Sequence, residues 1–105
     1  MIKLGIRRVK PEEESRLREW MSQLNSRHPE VRETFRQEGV THEQARLINI
    51  SGELILIYAV EAADHVKAAA AFAQSTLPID VEHKRIMSQV LGAIVPSELL
   101  FECHA

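Results

Sequence analysis

His83 is the residue of this chain best suited to chemistry near neutral pH. It stands three and four positions before Ile86 and Met87, which puts an imidazole on the apolar face of a helix turned towards a core. Such a group can act as acid, base or ligand. A core histidine satisfied by a backbone carbonyl or a carboxylate leaves the same signature. Glu43 shares strand parity with Thr41, Ala45 and Leu47. If that parity faces inwards, the carboxylate needs a partner, and Arg8 or His83 could supply it. If it faces outwards, Glu43 is a solvated edge charge. Arg8 shares parity with Ile2, Leu4 and Ile6 and is expected to point inwards at the end of an apolar row. There its guanidinium could grip a ligand carboxylate through two parallel hydrogen bonds. A strand-end arginine reaching solvent is the alternative, and Arg7 takes the role if the parity is reversed. Trp20 is expected in the core or in a pocket wall, and Tyr58 likewise, with a hydroxyl that wants a partner if buried.

Other chemistries find no support. The histidines His28, His42, His65, His83 and His104 lack metal-ligand spacing such as His-x-x-x-His, and Cys103 is the only cysteine. No metal, no cofactor and no intrachain disulfide are therefore expected. The four glycines are scattered singly, so neither a phosphate loop nor a nucleophile elbow is present. Cys103 lies in an apolar segment and is expected to be a buried, inert thiol.

Composition bounds the class. The chain has 105 residues, 45% hydrophobic and 27% charged, which suits one globular domain over 1–105. Net charge is −2 and the pI about 6.2, with basic and acidic residues interleaved. That balance argues against nucleic acid and acidic membranes as partners. No apolar run approaches the ~20 residues that span a bilayer. Met1–Val9 is too short and too charged for a signal peptide, so the expected location is the cytoplasm.

The elements that must position these residues read in order. Ile2–Val9 is a first strand. Pro11 opens a helix whose apolar stripe is Leu17, Trp20, Met21 and Leu24, continued by His28, Val31 and Phe35. Pro29 should kink or split it near Ser26–Pro29, and Gly39 should close it. Thr41–Ile50 and Glu53–Glu61 form a hairpin around Ser51-Gly52. Asp64 can cap the helix that follows, Pro78 interrupts it, and a second piece should run from about Ile79 to Ile94. Leu99–Cys103 is expected to be the last strand. The result is an α+β, ferredoxin-like βαββαβ order: a four-stranded antiparallel sheet with helices on one face.

Leu54-Ile55-Leu56-Ile57-Tyr58-Ala59-Val60 is apolar at odd and even positions alike. Both faces of that strand must be covered. Helices supply one cover, and a second copy of the molecule is expected to supply the other, giving a dimeric α/β barrel joined through the sheet face. Cover from the Pro78 segment or the last strand of the same chain is the alternative.

Arg8-Val9-Lys10-Pro11, Glu19-Trp20-Met21, Leu24-Asn25, Glu43, Tyr58-Ala59-Val60 and Pro78-Ile79-Asp80 followed by His83 together resemble a family of small bacterial proteins. It is a domain-of-unknown-function family assigned to the dimeric α/β-barrel superfamily. The likeness runs from the first strand to the last helix. It departs at Glu12, where the family is expected to carry glycine, and in the C-terminal strand. The resemblance implies a fold and a homodimer, and no activity.

The function expected is binding of a small amphipathic or oxygenated organic ligand between sheet and helices. Leu4, Trp20, Phe72 and Met87 would form the walls, with Arg8, Glu43, Tyr58 and His83 as the polar groups. One alternative is a non-enzymatic dimerisation module. The other follows from the superfamily, which includes cofactor-free monooxygenases and isomerase-like enzymes; His83 would then be the base, Glu43 its orienting carboxylate and Arg8 the substrate anchor.

Overall fold

A computed structural model describes residues 1–105. Strand β1 (Ile2–Val9) leads through a 3₁₀ turn at Pro11–Glu13 into helices α1 (Glu14–Ser26) and α2 (His28–Glu38). A hairpin of β2 (Val40–Ile50) and β3 (Glu53–Ala62) follows. Helices α3 (His65–Gln74) and α4 (Pro78–Val90) then lead to a short β4 (Leu91–Ile94). The sheet order is β2-β3-β1-β4 with every pair antiparallel, the arrangement of a ferredoxin-like α+β fold.

Local chemistry explains the breaks. Arg27 leaves helical geometry between α1 and α2, and Pro29 sits in the first turn of α2, where its missing N–H costs nothing. The helix therefore splits where the proline requires it. Ser51 and Gly52 both have positive φ, 54° and 84°, the two-residue turn that matches the twist of a hairpin. Asn49 Oδ1 accepts from the Gly52 N–H at 2.8 Å. The Asp64 side chain caps α3 by accepting from the Lys67 N–H at 3.0 Å, as its residue type suggests.

Register assigns the two faces of the sheet. Gly5 lies opposite Tyr58 and Arg7 opposite Leu56, while Ala45 and Leu47 face the same two residues from β2. These residues, with Val9 and Leu54, look towards the helices. The core there joins Val9, Leu54 and Leu56 to Leu17, Trp20, Ile79, Ile86, Met87 and Val90. Truncating a side chain such as Leu17 to alanine should cost roughly 2–5 kcal/mol. A smaller cluster of Val40, Ala62 and Ala68 closes the far end.

The opposite parity, Ile2, Leu4 and Ile6 on β1, Ile48 and Ile50 on β2, and Ile55 and Ile57 on β3, forms the other face. No helix covers it. Ile2, Leu4, Ile48 and Ile50 are between 38% and 64% exposed.

Two boundaries differ from expectation. Helix α4 stops at Val90 rather than Ile94, and Leu91–Ile94 supplies the fourth strand in place of Leu99–Cys103. The Arg7 side chain holds this edge by donating from Nε and Nη2 to the Gly92 carbonyl at 2.9 and 2.6 Å. The Val95 N–H still reaches the Ile6 carbonyl at 2.9 Å. Pro96 has no N–H to continue the ladder, and the segment beyond it takes no regular structure. Cys103 is consequently an exposed free thiol, not a buried one.

Candidate functional site

A cavity of about 690 Å3 opens between the sheet and the helices α1, α2, α3 and α4. Small residues create it. Tyr58 on the central strand is flanked by Gly5 on β1 and Ala45 on β2, and Ala68 and Ala69 of α3 add little volume. Where larger residues would fill the floor, space remains over the Tyr58 ring.

His83 enters from α4 and is held by aromatics. Trp20 Nε1 donates to His83 Nδ1 at 2.9 Å, and Tyr58 Oη lies 3.4 Å from His83 Nε2. The Phe72 and Tyr58 rings meet the imidazole edge-on, with centroids 5.7 and 6.1 Å away. Lys84 fixes Phe72 from the other side. Its ammonium donates to the carbonyls of Phe72, Ala73 and Ser75 at the end of α3 and sits 5.4 Å over the Phe72 ring.

Indole N–H can only donate, so Nδ1 must carry a lone pair and the imidazole proton resides on Nε2. That proton points at Tyr58 Oη, which then accepts and keeps its own O–H free to turn into the cavity. Burial pushes the His83 imidazolium down to about 4. His83 is therefore a neutral, fixed ring whose basic nitrogen is occupied.

A carboxyl group takes the exposed role in the cavity. Glu43 occupies the helix-facing parity of β2, opposite Val60 and diagonal to Tyr58, and lines the cavity. Its side chain makes no hydrogen bond or ion pair with the chain. Burial, and then the charge of Asp80, push it up to about 7. Burial and the nearby Glu43 charge also raise the Tyr58 phenol well above its ordinary range.

Thr34, Glu38 and Asp80 extend the polar floor, with Ser75 bonded to Asp80, and the sequence reading named none of the four as a site residue. Asp80 is only 2% exposed. Its Oδ2 accepts from Thr34 Oγ1 at 2.6 Å and Ser75 Oγ at 2.5 Å, and it lies in the first turn of α4, where a negative charge is favoured. Thr34 has one hydroxyl proton, spent on Asp80. The Glu38 Oε1 contact to Thr34 Oγ1 at 3.3 Å therefore suits a protonated Glu38 that donates. Burial, with the charges of Asp80 and Glu43, raises Glu38 to about 7. One signal was legible: Asp80 stands one helical turn before His83.

Of the sequence candidates, Trp20, Glu43, Tyr58 and His83 come together. Arg8 does not. It lies on the opposite face of the sheet and pairs with Glu53, because the row Ile2, Leu4, Ile6 points away from the helices. The Leu4 side chain shares that face, although Leu4 still borders the cavity, and Met87 belongs to the core beneath. Arg7, the substitute, looks towards the helices but is bound to Gly92. No cluster of histidine, cysteine and carboxylate side chains could hold a metal ion.

An open sheet roofed by helices over a polar-floored cavity defines a ferredoxin-like α+β protein. The chain belongs to a family of unknown function, DUF6176, whose model matches residues 2–104. No curated protein and no solved structure matches it.

Proposed function

We propose that this protein is a cytoplasmic homodimer, paired through the bare faces of two sheets, with a small oxygenated organic molecule bound in each cavity. The observation that carries the ligand is Glu43: a carboxyl without a partner in the chain, facing a cavity whose walls are largely apolar. Below pH 7 its O–H can donate to a carbonyl or hydroxyl oxygen, and the freed Tyr58 O–H can donate to the same atom. Two donors converging in apolar surroundings suit an amphipathic molecule with one oxygenated end. The bare row of isoleucines supports the dimer, because a monomer gains nothing by exposing it. No helix is long and apolar enough to cross a membrane, and an exposed free thiol suits a reducing compartment.

A catalytic reading is favoured by the same carboxyl. A base that titrates near 7 beside a phenol that can polarise a carbonyl is equipped for proton transfer at the adjacent carbon. Glu43 would be that base, Tyr58 the polarising donor and His83 the ring that orients Tyr58. This differs from a His83-centred mechanism because Trp20 occupies Nδ1.

Native mass spectrometry of freshly purified protein, with Glu43→Gln alongside, tests the reading. A dimer carrying a small-molecule mass that Glu43→Gln releases is expected. A ligand-free monomer at micromolar concentration would overturn both halves. Bound mass unchanged in Glu43→Gln would remove the site and leave a structural dimer.

A further inference from the structure

Register lays out the sheet floor of the cavity as two rows. Lys3 on β1 lies opposite Val60, and Val60 lies opposite Glu43 on β2. The next row on the same face is Gly5, Tyr58 and Ala45. Lys3 and Glu43 are thus both diagonal neighbours of Tyr58, one from each side. Diagonal neighbours stand roughly 7–8 Å apart, within reach of long side chains. Resting on the ligand reading above, we propose that Lys3 binds an anionic end of that molecule. The ligand is then a small carboxylate with a carbonyl or hydroxyl oxygen further along its chain.

The ammonium is free for that task. Lys3 borders the cavity, and its side chain makes no hydrogen bond or ion pair with the chain. Other cations are already engaged: Arg7 on the Gly92 carbonyl, Arg8 on Glu53, Arg27 on Glu30 and Glu82, and Lys84 on the end of α3. Arg32 also borders the cavity without an ion pair, but it stands on α2. Only Lys3 shares the floor with Tyr58 and Glu43, so it takes the anchoring role that the sequence suggested for Arg8.

Its position at the sheet edge also selects which end of a ligand it meets. Strand β4 pairs with β1 only at Arg7 and Val9, so the strand edge beside Lys3 is open. Lys3 itself is exposed. A carboxylate held there keeps part of its hydration and escapes the heavy cost of burying a charge. The uncharged oxygen goes inwards to Tyr58 and Glu43, and the carbons between pass over Val60. A phosphate suits the place less well. Its second charge would find one lysine on the floor and three carboxyl groups, Glu38, Glu43 and Asp80, lining the same cavity. No glycine-rich loop adds backbone N–H donors to offset them.

Chemical-shift titration of the full chain at pH 6, where Glu43 keeps most of its proton, tests the anchor. The probes are pyruvate and levulinate, the methyl ester of each, and inorganic phosphate, read at the amides of Gly5, Ala45 and Tyr58. Each acid that binds should bind roughly fivefold more tightly than its ester, the upper range for an exposed ion pair. Lys3→Met should weaken the acid alone, to the level of the ester. Lys3→Arg and Arg32→Met should both keep the preference. Equal affinity of acid and ester for the wild type would overturn the anchor and leave the ligand site standing. A preference that survives Lys3→Met, or that Arg32→Met abolishes, would also overturn it. Phosphate binding as tightly as the acids would overturn the carboxylate class. If neither acids nor esters shift those amides at millimolar concentration, the ligand reading falls together with the anchor.

Discussion

The indole of Trp20 donates to His83 Nδ1 at 2.9 Å, and this contact decides what the only cavity-lining residue common to α4 and the aromatic cluster can do. A histidine with both nitrogens engaged by aromatic partners is a positioning ring. It sets the direction of the Tyr58 hydroxyl and has no free nitrogen to offer the cavity.

Replacing Trp20 with phenylalanine should release Nδ1 and relax the tautomer. The unpaired acceptor is expected to cost roughly 1–3 kcal/mol of stability. Nitrogen chemical shifts of His83 should show the Nε2–H form in the wild type and a mixture in the variant. A mixed tautomer in the wild type would contradict the network.

Acidity should stabilise the fold between pH 7.5 and 5. Glu38 and Glu43 titrate near 7 in the folded chain and near their ordinary 4.5 when unfolded, so the folded state binds extra protons in that window. Their contribution is present below 4.5 and lost as pH rises through 7. His83 acts in the opposite sense: its contribution is present above 6.5 and lost as pH falls towards 4. Two groups outweigh one, so thermal unfolding should occur at a higher temperature at pH 5 than at pH 7.5. In the double variant Glu38→Gln, Glu43→Gln only the histidine remains, and the slope should reverse.

Glu43→Gln by itself removes a carboxylate that is both buried and repelled by Asp80. At pH 8 the variant should be more stable than the wild type, by roughly 1–2 kcal/mol, with little difference at pH 4. Chemical denaturation at the two pH values reads this directly. Equal destabilisation at both would mean that Glu43 has a structural partner after all.

Asp80→Ala should be the most damaging polar substitution, at roughly 1–3 kcal/mol for each orphaned group, because the buried Thr34 and Ser75 hydroxyls lose their shared acceptor. It also removes the charge that helps to raise Glu38 and Glu43. The surviving folded protein should show both carboxyls titrating at lower pH by carbon-detected NMR.

A lysine at Ile57, on the bare face of the central strand, should leave the protomer folded and prevent dimerisation. The charge would be buried without a partner in any face-to-face pair. Size-exclusion chromatography with light scattering checks it.

Much of the architecture was legible in residue types. Pro29 placed the split between α1 and α2, Ser51-Gly52 placed the hairpin, and the doubly apolar β3 announced a sheet with two apolar faces. Each is a local steric or periodic rule, which a sequence expresses directly. The fourth strand was misplaced because Leu91–Ile94 continues the helical stripe of α4, while Leu99–Cys103 has strand composition but no neighbour to pair with. A strand exists only where a ladder partner lies alongside, and that is a tertiary fact. The site divides in the same way. His83, Glu43, Tyr58 and Trp20 could be named from type and parity, but Arg8 could not be excluded until β1 was paired in register with β3. One residue of register sends a side chain to the opposite face. Nor could the sequence show that Trp20 would meet Nδ1, or that Asp80 would gather Thr34 and Ser75. Those contacts join positions far apart in the chain, and only the folding of helices onto the sheet decides which hydrogen-bonding atoms meet.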